Sequence, residues 1–329
     1  MEAAVASWGS RMRIHALAFC LAVLAGAAPP AGADTVLTVM TFNVWGGGAN
    51  EGKPVDETAA VIRAAGADIV GIQETRREGV DCREESCPPD SESVAARLAA
   101  ALGFHYYDQA KTNDALWANA ILSRYPIGAA TPNDLGVAID VKGRRVYAFN
   151  IHLTDFPYQP YQVMGIPYGD APYLTTGAAA ARAAGAARGT GIALLVQDLK
   201  AANGADAAFV FGDFNEPSHR DWTARTAAAG RHPFAVDFPS ARAVEAQGFT
   251  DAYRAMHPDE VDEPGYTWEA IARPADVQVH HDRIDYVFAR GAGLVVEQAR
   301  IYGEKTPQAD VVVAPWPSDH RAVVAKVRF

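Results

Sequence analysis

Residues 207–215 read Ala207-Ala208-Phe209-Val210-Phe211-Gly212-Asp213-Phe214-Asn215. The run Ala207–Phe211 is apolar, short and closed by a glycine, which predicts a buried strand rather than a helix. Asp213 and Asn215 follow two residues apart, so on an extended backbone both side chains point the same way. Working outward, Thr35–Phe42 is a β-branched apolar strand that runs into the turn-forming Gly46-Gly47-Gly48. Val55–Ala65 has helical periodicity between Pro54 and Gly66, and Ala67–Ile72 is a second strand. Ser91–Leu102 is a helix closed by Gly103, and Ala118–Leu122 a short strand. Arg145–Leu153 alternates, with Val146, Ala148, Asn150 and His152 on one face and Tyr147, Phe149 and Ile151 on the other. Thr176–Ala201 is Ala-rich and helical, weakened by Gly185, Gly189 and Gly191. Arg283–Ala289 and Ala322–Phe329 are further strands. Helices interleaved with strands that also follow one another directly predict α/β layers with mixed sheets.

The chain has 329 residues, 49% of them apolar, with 29 Lys+Arg against 39 Asp+Glu and a formal net charge of −10. That length and composition suit a globular domain with a substantial core. The acidic balance disfavours a passive basic wrap around nucleic acid, yet leaves room for an enzyme that handles phosphates through bound cations. No apolar run reaches the length of a membrane span. Arg11 and Arg13 precede the apolar stretch Ala16–Ala28, followed by Pro29-Pro30 and Ala31-Gly32-Ala33. A basic start, a short apolar region and a small-x-small site predict a cleavable secretory signal over 1–33, a single domain over 34–329, and a secreted or periplasmic product. Cys82 and Cys87 then remain, and an oxidising compartment favours a local disulfide between them.

Polar residues gather where the strands run out: Asn43, Glu74, His152, Asp213, Asn215, Asp319 and His320. In layered α/β proteins, sites collect at carboxyl ends of strands. Any one of these residues alone reads as a turn former or cap. Asp285 is different, because it lies inside the apolar strand Ile284-Asp285-Tyr286-Val287-Phe288, where an unpaired carboxylate is costly. The set offers carboxylates, amides and imidazoles, donors that suit hard cations such as Mg²⁺, Mn²⁺ or Ca²⁺. Such a cation neutralises charge in an in-line displacement, and histidines supply a base and donors. On residues alone this is a metal-assisted hydrolase, with phosphate esters among its candidate substrates.

The strings Thr41-Phe42-Asn43-Val44-Trp45, Ile69-Val70-Gly71-Ile72-Gln73-Glu74, Ile121-Leu122-Ser123-Arg124-Tyr125-Pro126-Ile127 and Asn150-Ile151-His152-Leu153 resemble successive motifs of the endonuclease/exonuclease/phosphatase superfamily. So do Gly212-Asp213-Phe214-Asn215, Gly248-Phe249-Thr250-Asp251-Ala252-Tyr253, Arg283-Ile284-Asp285-Tyr286-Val287 and Ser318-Asp319-His320, all in the family's order. The resemblance spans residues 35–329 and is similar to that of deoxyribonuclease I, abasic-site endonucleases, neutral sphingomyelinases and inositol polyphosphate 5-phosphatases. It implies a four-layer α/β sandwich of two packed mixed sheets flanked by helices. It also implies that Glu74 is the principal metal-ligand carboxylate, with Asn43 and Asp319 near the metal as ligands or phosphate contacts. His152 and Asn215 match residues that hold phosphate oxygens. Asp213 matches a carboxylate that positions water or protonates the leaving group. His320 matches a general base or transition-state donor, with Asp285 as its carboxylate partner.

Substrate choice is less legible. Asp155-Phe156-Pro157-Tyr158-Gln159-Pro160-Tyr161, Pro167-Tyr168 and Ala171-Pro172-Tyr173 form a stretch rich in Tyr and Pro beside His152, fit either to stack on a ligand or to pack as a stiff loop. Gly265-Tyr266-Thr267-Trp268 is a second aromatic string, whose Trp suits the cleft or the core. His280-His281 read as loop residues, since neighbours on a strand face opposite ways. Arg182 and Arg188 are candidate phosphate contacts, with a solvated helix face the favoured reading. The preferred substrate is a small organic phosphodiester or a phospholipid headgroup, a membrane surface entering only through a lipid substrate. An extracellular nuclease is the alternative, less favoured without a basic stripe. A phosphomonoesterase of the inositol phosphate type needs a Lys/Arg cluster that the sequence does not display. A catalytically inactive secreted binding module on the same scaffold is the alternative of another class.

Overall fold

Strand parity decides the architecture of the protein, seen here in a computed structural model that describes Met1 and residues 34–77, 92–271 and 278–329. In chain order the elements are β1 (Val36–Asn43), α1 (Val55–Ala65), β2 (Ile69–Gln73), α2 (Ala95–Leu102), β3 (His105–Asp108), β4 (Ala120–Ser123), β5 (Ile127–Ala130), β6 (Gly136–Val141) and β7 (Arg144–His152). There follow α3 (Gln159–Met164), α4 (Gly177–Asp198), β8 (Ala207–Asp213), α5 (Ala224–Ala228), α6 (Pro239–Glu245), β9 (Thr250–Asp251), α7 (Ala252–Met256), β10 (Asp285–Arg290), β11 (Val295–Gly303), β12 (Val311–Val312) and β13 (Ala322–Arg328). A seven-stranded sheet has the order β12-β11-β13-β1-β2-β4-β3, and a six-stranded sheet the order β5-β6-β7-β8-β10-β9. Both are mixed: β1 runs parallel to β2 and β7 parallel to β8, whereas β13 and β10 run antiparallel to their neighbours β1 and β8. Asp34–Phe329 folds as a single compact unit.

Each central strand is buried on both faces. Leu37 and Val39 of β1, Ile69 of β2, Val146 and Ala148 of β7, Phe209 and Phe211 of β8, and Val287 of β10 meet in one core between the sheets. The alternate residues Met40, Phe42, Val70 and Ile72 pack under Ala59 and Ile62 of α1 and Leu98 of α2. On the other sheet Phe149, Ile151, Val210, Tyr286 and Phe288 pack under Ile192 and Leu195 of α4 and Val244 of α6. Helix, sheet, sheet, helix is therefore the layering, and burying a side chain such as Phe211 contributes about 1.5–3 kcal/mol. Gly71 permits the sheets to approach, since a Cβ there would stand 2.5 Å from that of Phe211.

The same parity builds the site. Asn43 shares its face with Leu37 and Val39, His152 with Val146 and Ala148, Asp213 with Phe211, and Asp285 with Val287. All four belong to the inter-sheet layer, continued past its apolar part to one end. A polar tier lies just below them. Asn150 Oδ1 accepts from Gln73 Nε2 (2.6 Å), and Asn150 Nδ2 donates to Ile72 O (2.9 Å) and Gln109 Oε1 (3.0 Å). These bonds cross from one sheet to the other and hold Gln73, the neighbour of Glu74, against the strand that carries His152.

The observed boundaries differ from the sequence reading by a few residues: β4 starts at Ala120, α2 at Ala95 and β10 at Asp285. Arg188 requires a correction. It is buried, 1% exposed, under the helix rather than on a solvated face, whereas Arg182 is exposed. The expected signal segment (2–33) and Cys82 and Cys87 lie outside the described residues. No described helix is long and apolar enough to cross a membrane.

Candidate active site

Parallel pairing brings the ends of β1, β2, β7 and β8 to one edge, and β10 and β13 begin there. The register sets His152 beside Asp213, and Asp213 beside Asp285. Asn43 Nδ2 donates to Glu74 Oε1 (2.8 Å) and to Asp213 Oδ2 (3.1 Å), bridging two carboxylates that would otherwise repel. Its Oδ1 accepts from the Trp45 backbone N–H (3.1 Å). Asn43 thus faces the carboxylates with nitrogen, because they need a donor between them. His152 Nε2 lies 3.6 Å from Asp213 Oδ2 and 3.9 Å from Glu74 Oε1. Asn215 Nδ2 donates to that Nε2 (3.1 Å) and to Leu153 O (2.9 Å). Nε2 therefore accepts, and the Nδ1 proton faces Trp117 O at 3.4 Å.

Two site residues adopt left-handed backbone conformations, Glu74 with φ 54° and Asn215 with φ 47°. Asn tolerates this region, whereas a Glu there costs on the order of 1 kcal/mol and persists because its surroundings fix it. The turn at Asn215 is closed by its own N–H, which donates to Asp213 Oδ1 (2.8 Å).

On the other side of Asp213, His320 Nε2 lies 3.6 Å from Asp213 Oδ2, and His320 Nδ1 donates to Asp285 Oδ2 (2.9 Å). Asp285 is fully buried, and burial pushes its carboxyl up despite the opposing charge of His320. Burial also opposes charge on His320, but Asp285, Asp213 and Asp319 outweigh it and hold the imidazole well above its ordinary value. The proton thus resides on this pair, with the ring fixed as an Nδ1 donor. Asp319 is buried beside His320, and its charge is felt there. Ser318 Oγ donates to Asn43 O (2.7 Å) and accepts from His320 N–H (3.1 Å), tying the last loop to β1.

The eight polar residues read as a site in the sequence come to this one edge, whereas Arg182 and Arg188 do not. Asn43, Glu74, His152, Asp213, Asn215, Asp285 and His320 form a chain of direct contacts, and Asp319 joins through its neighbours. Donor atoms of Glu74, His152 and Asp213 lie within 4.8 Å of one another, as do those of Asp213, Asp285 and His320. Two carboxylates with an imidazole at hand can hold a hard divalent cation, and Glu74 and Asp213 are spaced to share one, whereas Asn43, expected near the metal, turns its amide nitrogen to them. Thr267 is a supporting residue that the sequence reading passed over. Its Oγ1 accepts from the N–H groups of Ile284 (3.0 Å) and Asp285 (3.1 Å), anchoring the strand that delivers Asp285. Its place in the string Gly265-Tyr266-Thr267-Trp268 was the available signal.

The aromatic stretch splits in two. Tyr158 and Tyr161 are buried with Ile284, and Tyr158 donates to Asp282 Oδ2 (2.7 Å). Phe156, Tyr168 and Trp268 are half-buried around them, with Trp268 6.0 Å from Tyr161 between ring centroids, and Tyr173 is exposed. Trp268 pairs through its backbone with both Asp282 and His320, so this cluster stands beside the site. His280 and His281 lie outside the strands, His280 packing edge-on against Trp222.

The model of the Endonuclease/Exonuclease/phosphatase family matches residues 40–320, from the strand of Asn43 to His320 itself. The chain belongs to that family. Members of this endonuclease/exonuclease/phosphatase family are hydrolases of phosphate esters. An uncharacterized protein from Caenorhabditis elegans is 25% identical over 305 residues, covering 89% of this chain and 91% of that protein. Among solved structures, the 3′ phosphatase NExo from Neisseria, bound to product DNA hairpin, matches with a TM-score of 0.52 at 19% identity, over 88% of this chain and 98% of that one. TDP2 from D. rerio, complexed with single-strand DNA product, matches with a TM-score of 0.51 at 13% identity, over 89% of this chain and 99% of that one. These likenesses establish the fold, a sandwich of two mixed sheets with flanking helices.

Proposed function

We propose that this protein is a divalent-metal-dependent phosphoesterase that hydrolyses a phosphodiester by direct attack of water. The observation that carries the reading is the position of Asp213: its Oδ2 lies 3.6 Å from the Nε2 atoms of both His152 and His320 and accepts the amide that also holds Glu74. Glu74 and Asp213 would hold the cation, which when bound neutralises phosphoryl charge and the departing oxygen. Mg²⁺ is the preferred ion, with Mn²⁺ and Ca²⁺ as substitutes of the same hard character. One Asn215 Nδ2 proton, held by His152 Nε2 in the free protein, would turn to a phosphoryl oxygen on binding. His320, kept charged by its carboxylate neighbours, donates from Nε2 to another and stabilises charge that grows in the transition state. Asp285 holds that ring in place and supports its charge. Asp213 takes a proton from the attacking water.

The substrate in this proposal is a small organic or phospholipid-headgroup phosphodiester. An acidic chain and a half-exposed aromatic cluster beside His320 support it. A nucleic-acid phosphoester is the second reading, supported by the DNA products held by two proteins of the same fold. Secretion after cleavage at Ala33 is part of the same proposal. A panel of bis-p-nitrophenyl phosphate, sphingomyelin, DNA and inositol phosphates, with Mg²⁺ or Mn²⁺ and with EDTA, tests it. Metal-dependent diester hydrolysis supports the reading, preference for DNA with a steep salt slope selects the second, and no turnover of any substrate refutes both.

A further inference from the structure

Arg188 of α4 is a fully buried guanidinium that the reaction above does not use. Its Nη1 donates to Gln159 Oε1 (2.5 Å) and its Nη2 to Pro157 O (3.3 Å), while Nη1 stands 4.0 Å from Glu216 Oε2. Glu216 is the residue after Asn215 and is itself buried. Its Oε1 accepts from the Ser240 N–H (2.7 Å), and its backbone carbonyl accepts from Tyr286 Oη (3.0 Å). A buried pair of this kind is expensive, and an apolar residue would pack α4 at less cost. Its placement gives it a use. It joins the segment that follows His152 to the turn that follows Asp213.

Resting on the phosphoesterase reading, we propose that Arg188 is a positioning residue: through Glu216 and Gln159 it fixes the left-handed turn that presents Asn215 Nδ2 to His152. Asn215 sits at φ 47°, a conformation that lasts only while its neighbours enforce it. Without Arg188, the Glu216 carboxylate keeps its Ser240 donors and no countercharge. It then protonates or swings away, and the turn relaxes. A lysine keeps the charge but loses the two-pronged hold on Gln159 and Pro157.

The test compares Arg188→Met, Arg188→Lys and the double variant Arg188→Met/Glu216→Gln in the full chain. The readouts are Tm, kcat and KM on bis-p-nitrophenyl phosphate with Mn²⁺, and the imidazole ¹⁵N resonances of His152 without added metal. The double variant removes both buried charges, so its Tm is expected to recover from that of Arg188→Met. Its kcat/KM is expected to stay about 10-fold below the native value or lower, with the His152 Nε2 resonance displaced. Arg188→Lys is expected to fall between the native protein and Arg188→Met. A double variant with native kcat/KM and a native His152 spectrum would overturn the proposal, because Arg188 would then serve only to neutralise Glu216. Should the double variant not fold, Arg188→Lys decides: native activity and spectrum overturn the proposal, and a loss at near-native Tm supports it. If the native protein hydrolyses nothing, the phosphoesterase reading fails separately, and the His152 resonance alone decides whether Arg188 positions the turn.

Discussion

Replacing Asp285 by Asn separates catalysis from stability more sharply than any other single change. The carboxylate is fully buried and accepts one hydrogen bond from His320 Nδ1 at 2.9 Å. Asn has nearly the same shape, so packing against Val287 and Thr267 survives. What is lost is a charge-assisted hydrogen bond and the negative charge that supports the imidazolium. A hydrogen bond to a charged group contributes about 1.5–3 kcal/mol, and loss of a preorganised stabiliser costs about 3–4 kcal/mol at the transition state, or roughly 10²–10³ in kcat/KM. Stability moves the other way. Burial pushes the Asp285 carboxyl up, so the native fold bears a penalty for its charge that Asn does not carry. The Tm of Asp285→Asn is expected within a few degrees of the native protein. Initial rates on bis-p-nitrophenyl phosphate, read beside thermal melts followed by circular dichroism, check both halves. A folded Asp285→Asn that keeps a third or more of native kcat/KM would refute the reasoning about His320.

Glu74→Gln removes half of the charge that Glu74 and Asp213 offer a cation, and its Mn²⁺ affinity by calorimetric titration is expected to drop at least ~10-fold. Gly71→Ala would force a Cβ to 2.5 Å from Phe211 Cβ and 2.8 Å from Asn150 Oδ1, a destabilisation of about 1–3 kcal/mol by urea titration, and more if the sheets cannot part. Asp221→Asn takes from Arg254 its carboxylate partner at 2.6 Å and from Arg283 one of two, at 3.0 Å, leaving Arg254 on backbone carbonyls and Arg283 on Asp251, and is expected to cost about 3 kcal/mol by the same assay. Burial opposes the Asp221 charge, but Arg283 and Arg254 win and hold its carboxyl below the usual range. The stability it contributes is therefore complete above the unfolded carboxylate value of about 4 and is lost as pH falls through the lower folded one. The native urea midpoint should fall steeply below about pH 4, and that of Asp221→Asn less so.

The sequence displays the site better than it displays the sheets. Asn43, His152 and Asp213 end strands with buried cores and Asp285 begins one, and the cost of a buried polar group makes such positions informative. The double-sided burial of β1, β8 and β10 also produces apolar runs, and β7 shows itself by alternation, which is why those strands are readable. β3 is the edge of its sheet, and His105 and Tyr106 are exposed, so no apolar run announces it. β11 shows Glu297, Gln298 and Arg300 and buries Ala299, Ile301 and Gly303, leaving a half-polar pattern that a search for apolar strands passes over. Arg188 misleads for a related reason. In an Ala/Gly-rich helix one arginine looks solvated, and only the chain packed beneath it, Gln159 and Glu216, reveals that it is enclosed. The aromatic string 156–168 gives no sign of its division, because Tyr158 and Tyr161 enter the cluster with Ile284 through the fold, whereas Tyr168 packs at its margin.

The central claim is that remote strands fold to place Glu74, Asp213 and the two histidines around one hard cation. Anomalous diffraction at the manganese edge, from crystals grown with Mn²⁺, tests it most directly. A peak bonded to the Glu74 carboxylate on the side facing Asp213 is expected. A clean map with no peak at Glu74, or manganese bound only elsewhere, would contradict it.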